Sequence, residues 1–265
     1  MRQFEHEQLT VFQSVLYQTT TAVIKTKQAL IVTDPNWLPN EIAEIKAYIE
    51  SIIEDRKFYI IYTHSDYDHI IAAGAFPQAT TIASEAFANR NKKEVLEQIR
   101  QFDAQYYIER DYPIIFPDID IVIKEEGQTL EMQDLTCTFY FSPGHTVDGL
   151  FTVVEPYGIF LAGDYLSDVE FPFIEDYEAY AATVQKAQTI ISYKEVEVLV
   201  PGHGTTTNNR AEIQNRIDQS LLYLNNLSNG TCDESELQKL YPFYKGLKEM
   251  HELNKEAFNK NSQGI

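Results

Sequence analysis

Residues 63–69 read Thr63-His64-Ser65-Asp66-Tyr67-Asp68-His69, so four metal-capable side chains crowd one short stretch. Imidazole and carboxylate together suit both transition metals and harder divalent cations. On an extended backbone, residues two apart point the same way. That would aim His64, Asp66 and Asp68 at one place and His69 at another, so one loop could feed two neighbouring metal positions. Three isolated residues extend the pattern: His145 in Ser142-Pro143-Gly144-His145-Thr146, Asp164 in Leu161-Ala162-Gly163-Asp164, and His203 in Pro201-Gly202-His203-Gly204. Only His6 and His251, of 6 histidines, lie outside these motifs. Histidines buried singly against backbone partners would not concentrate in this way, and a multi-ligand pattern is far more specific than a lone residue.

Each motif follows a run that reads as a buried strand: 58–62, 137–141, 158–161 and 196–200. A short helix is expected over 70–76, stopped by Pro77. Glycines beside His145, Asp164 and His203 permit close backbone approach. Upstream, residues 9–16, 20–25 and 29–33 read as an antiparallel meander, dense in β-branched residues with short connections. Asp34 ends it, either as a turn residue before Pro35 or as a support beneath the metal loop. Trp37 and Leu38 either line a pocket mouth or cover the core. Helices are expected over 39–55, 85–102, 177–192 (with Asp176 as N-cap) and 208–227, and further strands over 80–83, 119–124, 129–132, 135–141 and 150–155. The aromatic stretch 106–116 reads as a lid, an association surface or an ordinary core cover.

The ordered motifs resemble the metallo-β-lactamase-fold hydrolases, whose loop reads His-x-His-x-Asp-His and is followed by a lone His, a lone Asp and a lone His. The resemblance covers roughly the first 225 residues, with one departure: Asp66 stands where the family has its second loop histidine. It implies an α/β fold, a four-layer αββα sandwich of two mixed β-sheets flanked by helices. Residues 1–228 would form this domain, with an insertion at about 85–126, and 229–265 a helical C-terminal extension that docks on the core or reaches a second subunit. The resemblance also implies the ligand grouping. His64, Asp66 and His145 would hold one metal, Asp68, His69 and His203 the other, with Asp164 between them. Two divalent ions would activate a water for attack on an acyl or phosphoryl centre. Asp68 would serve as a catalytic group that orients it. Zinc is the first expectation. Asp66 adds a carboxylate and opens the site to iron or manganese, whether it ligates directly or through water.

Composition narrows the function. At 265 residues and 44% apolar content the chain can bury a sizeable core, and its formal net charge of −19 repels phosphate backbones and anionic membranes. The expected partner is a small-molecule substrate, with no nucleic acid, no membrane and a possible homodimer. The N-terminal residues carry no apolar stretch of signal-peptide length, and Cys137 and Cys232 are expected as free thiols, which suits the cytoplasm. The resulting expectation is a metal-dependent hydrolase of a small ester, thioester, lactone or phosphodiester. A diiron redox protein and a metal-binding partner module are the alternatives. Tyr67 and Tyr165 are the general-acid candidates by proximity in sequence.

Overall fold

A computed structural model describes residues 1–263. Its first sheet has seven strands in sequence order: β1 (Arg2–His6), β2 (Leu9–Gln13), β3 (Thr20–Lys25), β4 (Ala29–Thr33), β5 (Lys57–Ile61), β6 (Thr80–Ser84) and β7 (Ile121–Ile123). Strands β2 to β4 form the expected antiparallel meander, β1 adds to its edge antiparallel, and β4 to β7 run parallel. The second sheet has five strands, with β12 (Val198–Val200) parallel to β11 (Ile159–Leu161). Its remaining strands β10 (Leu150–Glu155), β9 (Leu135–Phe141) and β8 (Gln128–Met132) follow antiparallel.

Three apolar layers separate four structural layers. Ile31, Ile61, Cys137, Phe139, Leu150 and Val200 meet between the sheets. Leu30, Val32, Phe58 and Ile60 turn the other way, onto α1 (Pro39–Ile52) and α4 (Lys92–Tyr106). Phe151, Val153 and Leu199 face α5 (Tyr177–Tyr193) and α6 (Arg210–Asn229). The alternation along β4, β5 and β10 is the period-2 pattern of strands buried on both faces. This is the expected αββα sandwich. The sheets are joined where the site lies: Leu150 N–H donates to Thr63 O at 2.7 Å, and Thr20 N–H to Gly202 O at 2.7 Å.

Three local expectations change, and two open alternatives resolve. β1 was not anticipated: Arg-Gln-Phe-Glu-His is polar, and its edge position comes from pairing with β2. The helix expected over 70–76 is α2 (Tyr67–Ile70), with Asp66 at its N-cap position, followed by a 3₁₀ turn at Ala73–Ala75. A Cβ on Gly74 would strike the Pro113 carbonyl, so the chain needs glycine there. The helix expected over 85–102 is split into α3 (Glu85–Ala88), which Ser84 caps, and α4. Trp37 is fully buried and Tyr112 and Phe116 are core residues, so both segments cover the core, although Tyr107 stands 92% exposed. Cys137 and Cys232 are free thiols. Among the described residues, no helix is long and apolar enough to cross a membrane.

The C-terminal helices α7 (Glu234–Leu240) and α8 (Lys248–Gln263) pack on the second sheet's helical layer. Leu237, Tyr241, Tyr244 and Ala257 share a buried cluster with Phe171 and Tyr223.

Candidate metal centre

The ends of β4, β5, β9, β11 and β12 converge at one edge of the sandwich. β4 delivers Asp34, β5 delivers Thr63 and His64, β9 leads to His145, β11 to Asp164 and β12 to His203. Asp66 has extended backbone (φ −60°, ψ 144°) and stands at the N-cap position of α2 without a side-chain capping bond. Asp68 and His69 therefore sit in a helical turn, not on the extended strand that the spacing suggested. His64 and Asp66 converge as expected, but Asp68 leaves them for His69 and His203. The donor atoms of His64, Asp66 and His145 lie within 4.8 Å of one another, as do those of Asp68, His69 and His203.

All four imidazoles are wired alike. His69 Nδ1–H donates to Asp34 Oδ2 (3.2 Å), His145 Nδ1–H to Phe173 O (3.0 Å) and His203 Nδ1–H to Tyr17 O (3.0 Å). His64 Nδ1–H donates to Thr63 Oγ1 (3.0 Å), whose own proton goes to Asp34 Oδ2 (2.6 Å). Asp34 Oδ1 also accepts from Thr63 N–H at 2.8 Å. Asp34 is thus both things the sequence allowed: its φ of +40° makes the turn, and its buried carboxylate orients two imidazoles. An acceptor on Nδ1 leaves the Nε2 lone pair free for a cation, the arrangement metal-ligating histidines use.

Asp164 occupies the middle. Its Oδ2 lies 3.5 Å from His64 Nε2, 3.2 Å from His145 Nε2 and 3.3 Å from His203 Nε2, and its Oδ1 lies 3.1 Å from His69 Nε2. Asp68 Oδ2 is 3.5 Å from His69 Nε2 and 3.4 Å from His203 Nε2. Asp66 Oδ2 is 3.7 Å from His64 Nε2 and 3.4 Å from His145 Nε2. At 36% exposure the Asp66 side chain is the most open of the seven. His64 Nε2, His145 Nε2 and Asp164 Oδ1 are buried without a hydrogen-bond partner, and His69 Nε2 faces His203 Nε2 at 3.3 Å. Opposed lone pairs and orphaned donors are costly unless a cation sits among them. The residues therefore fit the binding of metal ions.

The electrostatics say the same. Burial disfavours charge on His203, yet Asp164, Glu170 and Asp68 overcome that and raise it to about 10. His69 and His145 are raised well above an ordinary imidazole against the same burial, by Asp164 with Asp68 and with Asp66 respectively. Burial would raise Asp164, but His203, His69 and His64 hold it well below the usual carboxylate range. Burial is likewise outweighed at Asp66, lowered by His145 and His64. The carboxylates demand positive charge, and protons on the imidazoles supply it where metals would.

Close packing keeps the loops together. A Cβ on Gly202 would collide with Asp164 Oδ1, and Gly163 adopts φ +52° against Thr63. Buried Arg216 ties the loops after β11 and β12, donating to Thr205 O (2.8 Å) and Leu166 O (3.3 Å) and facing Asp168 (3.4 Å). Thr19 Oγ1 receives Trp37 Nε1–H at 2.7 Å and lies 3.3 Å from His203 Nδ1. Of the two tyrosines, Tyr165 is not offered as an acid. Tyr165 is buried and donates to Pro143 O (2.8 Å) while accepting from His145 N–H (3.0 Å). Tyr67 packs its ring on Trp37 and Phe102.

One residue of the site was not singled out from the sequence. Glu170 lies in the loop after Asp164, is 7% exposed, and places Oε1 3.8 Å from His203 Nε2. Burial, reinforced by Asp164 and Asp68 and opposed by His203, raises its carboxyl to about 7. Its donor atom groups with those of Asp164 and His203 within 4.8 Å.

Residues 15–203 match the family model described as the metallo-beta-lactamase superfamily. Among solved structures, a metallo-beta-lactamase from Pontibacter korlensis aligns at 16% identity and TM-score 0.59, covering 85% of this chain and 99% of that one. The stereoselective inverting sec-alkylsulfatase Pisa1 from Pseudomonas sp. aligns at 12% identity and TM-score 0.66, over 89% of this chain and 43% of that one. Rubredoxin oxygen:oxidoreductase from Desulfovibrio gigas aligns at 15% identity and TM-score 0.58, over 85% and 62%. Such identities speak for the fold alone. Among curated proteins none matches the sequence.

Proposed function

For this chain, which belongs to the metallo-β-lactamase superfamily, we propose a metal-dependent hydrolase acting with two divalent cations on a small ester, thioester, lactone or phosphodiester. The observation that carries the reading is the common wiring of His64, His69, His145 and His203: every Nδ1 is tied to a protein acceptor and every Nε2 is turned toward Asp164. His64, Asp66 and His145 would hold one ion and Asp68, His69 and His203 the other, with Asp164 serving both. When bound, the ions lower the pKa of a water and polarise the substrate oxygen.

The chain's own residues do the rest. Asp34 and Thr63 fix the tautomers of His64 and His69, so neither ring delivers a proton into the centre. Asp68, buried between His69 and His203, would orient the attacking water and take up its proton. Tyr165 is bonded to backbone carbonyl and amide groups and so is not free to protonate a leaving group, which favours esters, thioesters and lactones over substrates with poor leaving groups. The net charge of −19 supports a small substrate over nucleic acid.

Asp66 supports a second reading, a diiron redox protein, because two imidazoles and a carboxylate also suit non-haem iron. A panel of esters, thioesters, lactones and phosphodiesters assayed with chelated and with zinc-, manganese- or iron-reloaded protein separates the two. Turnover that vanishes on chelation and returns on reloading is expected. No turnover on any class, together with oxygen-dependent bleaching of an iron chromophore, would replace the hydrolase by the redox protein.

A further inference from the structure

Resting on the dinuclear reading above, we infer that Glu170 is an additional metal ligand on the His203 side, which turns the centre toward hard ions such as manganese and away from zinc.

The Glu170 side chain is nine-tenths buried, and its carboxylate shares one cluster with Asp164 and His203, with donor atoms within 4.8 Å of one another. Burying a carboxylate is costly, and the cost is relieved by a positive partner. His203 Nε2 is 3.8 Å away, beyond hydrogen-bond reach. Asp164 Oδ2 is 3.3 Å from the same Nε2. Three metal-capable atoms, from Glu170, Asp164 and His203, thus face one point. One cation there satisfies all of them, and also answers the orphaned Oδ1 of Asp164.

The loop is held in place with unusual care for an irregular segment. Ser167 Oγ receives the backbone N–H of Val169 (3.1 Å) and of Glu170 (3.3 Å). Phe243 N–H donates to Val169 O at 3.0 Å. Asn254 of α8 donates to Pro172 O (2.6 Å) and accepts from Ile174 N–H (2.9 Å). Phe171 is 1% exposed, its ring 5.6 Å from Tyr223, 5.7 Å from Tyr244 and 6.0 Å from His251. The C-terminal helices therefore grip the residues on both sides of Glu170, and the same loop supplies the Phe173 carbonyl that orients His145. Fixing a ligand from outside its own loop is what precise coordination requires.

The consequence is a change of donor set. Asp66, Asp68, Asp164 and Glu170 make four carboxylates beside four imidazoles, so two divalent ions are neutralised before any hydroxide binds. Extra oxygen donors favour manganese and iron relative to zinc, and the added negative charge weakens the centre as a Lewis acid.

The test is binding, without substrate. Manganese and zinc are titrated into metal-free wild-type protein and Glu170→Gln by competition with a chromophoric chelator, with manganese also read by electron paramagnetic resonance. Glutamine keeps the size and the loop contacts but removes the charge. Manganese affinity at one of two positions is expected to fall about tenfold or more, as ligand-shell changes do, with zinc affected less and the coupled two-manganese signal replaced by a single-ion signal. Unchanged manganese affinity in Glu170→Gln overturns the inference while leaving the dinuclear reading intact. So does an equal loss of both metals at both positions, which marks a structural role. Wild-type protein that takes up neither metal overturns both. Loss of manganese preference in a protein that hydrolyses nothing sustains the inference and removes only the hydrolase.

Discussion

Asp34→Asn changes two atoms' chemistry at the base of the centre and almost nothing else. The site of substitution is buried, and its φ of +40° is a conformation asparagine adopts readily, so backbone strain does not enter. The aspartate accepts three hydrogen bonds: from Thr63 N–H at 2.8 Å, Thr63 Oγ1–H at 2.6 Å and His69 Nδ1–H at 3.2 Å. Asparagine's carbonyl oxygen keeps the first. Its amide NH2 then faces a hydroxyl that can rotate to accept and an imidazole N–H that cannot. His69 relieves the conflict by moving its proton to Nε2, where it points into the metal position beside Asp164 and His203. Loss of such an orienting partner weakens metal binding about 10–100-fold, which is about 1.4–2.7 kcal/mol. The metal-free fold should lose roughly 1–3 kcal/mol from the charged acceptor. Both are measurable, the first by zinc or manganese titration and the second by denaturant unfolding of the chelated protein. Wild-type metal affinity in the variant would refute the tautomer argument outright, because nothing else would then hold His69's proton away from the site.

Two further outcomes follow from single residues. Asp66→His restores the loop pattern of the resembling family and removes one carboxylate, so zinc should gain on manganese in competitive loading; an unchanged ratio would mean Asp66 does not touch the ion. At the tail, Tyr223 OH accepts from Asn254 (2.7 Å) and so donates to His251 Nδ1 (2.8 Å), a bond that requires the unprotonated ring. Burial, with Lys255, lowers His251 below its usual 6.5. A depressed histidine contributes stability that is present above about 6.5 and lost as pH falls through the folded value. His251→Gln keeps an acceptor for Tyr223 but cannot titrate, so the wild type should lose stability relative to it on acidification. Parallel melting curves across that range would contradict the assignment.

Much of the centre was legible in the sequence because its ligands stand at strand ends, beside glycines and after apolar runs that can only be buried. The meander was legible from its β-branched alternation. The ligand grouping came only with the family resemblance, since alternation along the loop suggested an extended strand through Asp68, whereas a helix starts at Tyr67. Asp34 offered two readings because a turn and an acceptor use different parts of the same residue. Glu170 carried no local signal at all. Its position is set by Phe171 packing on residues 52–80 positions away and by Asn254, 80 residues from Ile174, so only the tertiary structure places it. β1 was hidden for the same reason, since its pairing with β2 overrides a polar, weakly β-forming sequence.

The central claim is that two ions sit between these loops. The most direct measurement is the elemental content of protein purified without added metal, expressed per folded chain. The account predicts about two transition-metal ions per chain, as in other two-metal sites, with manganese or iron taking a substantial share beside zinc. Less than one ion per chain in folded protein that also fails to take up zinc, manganese or iron on reloading would contradict it.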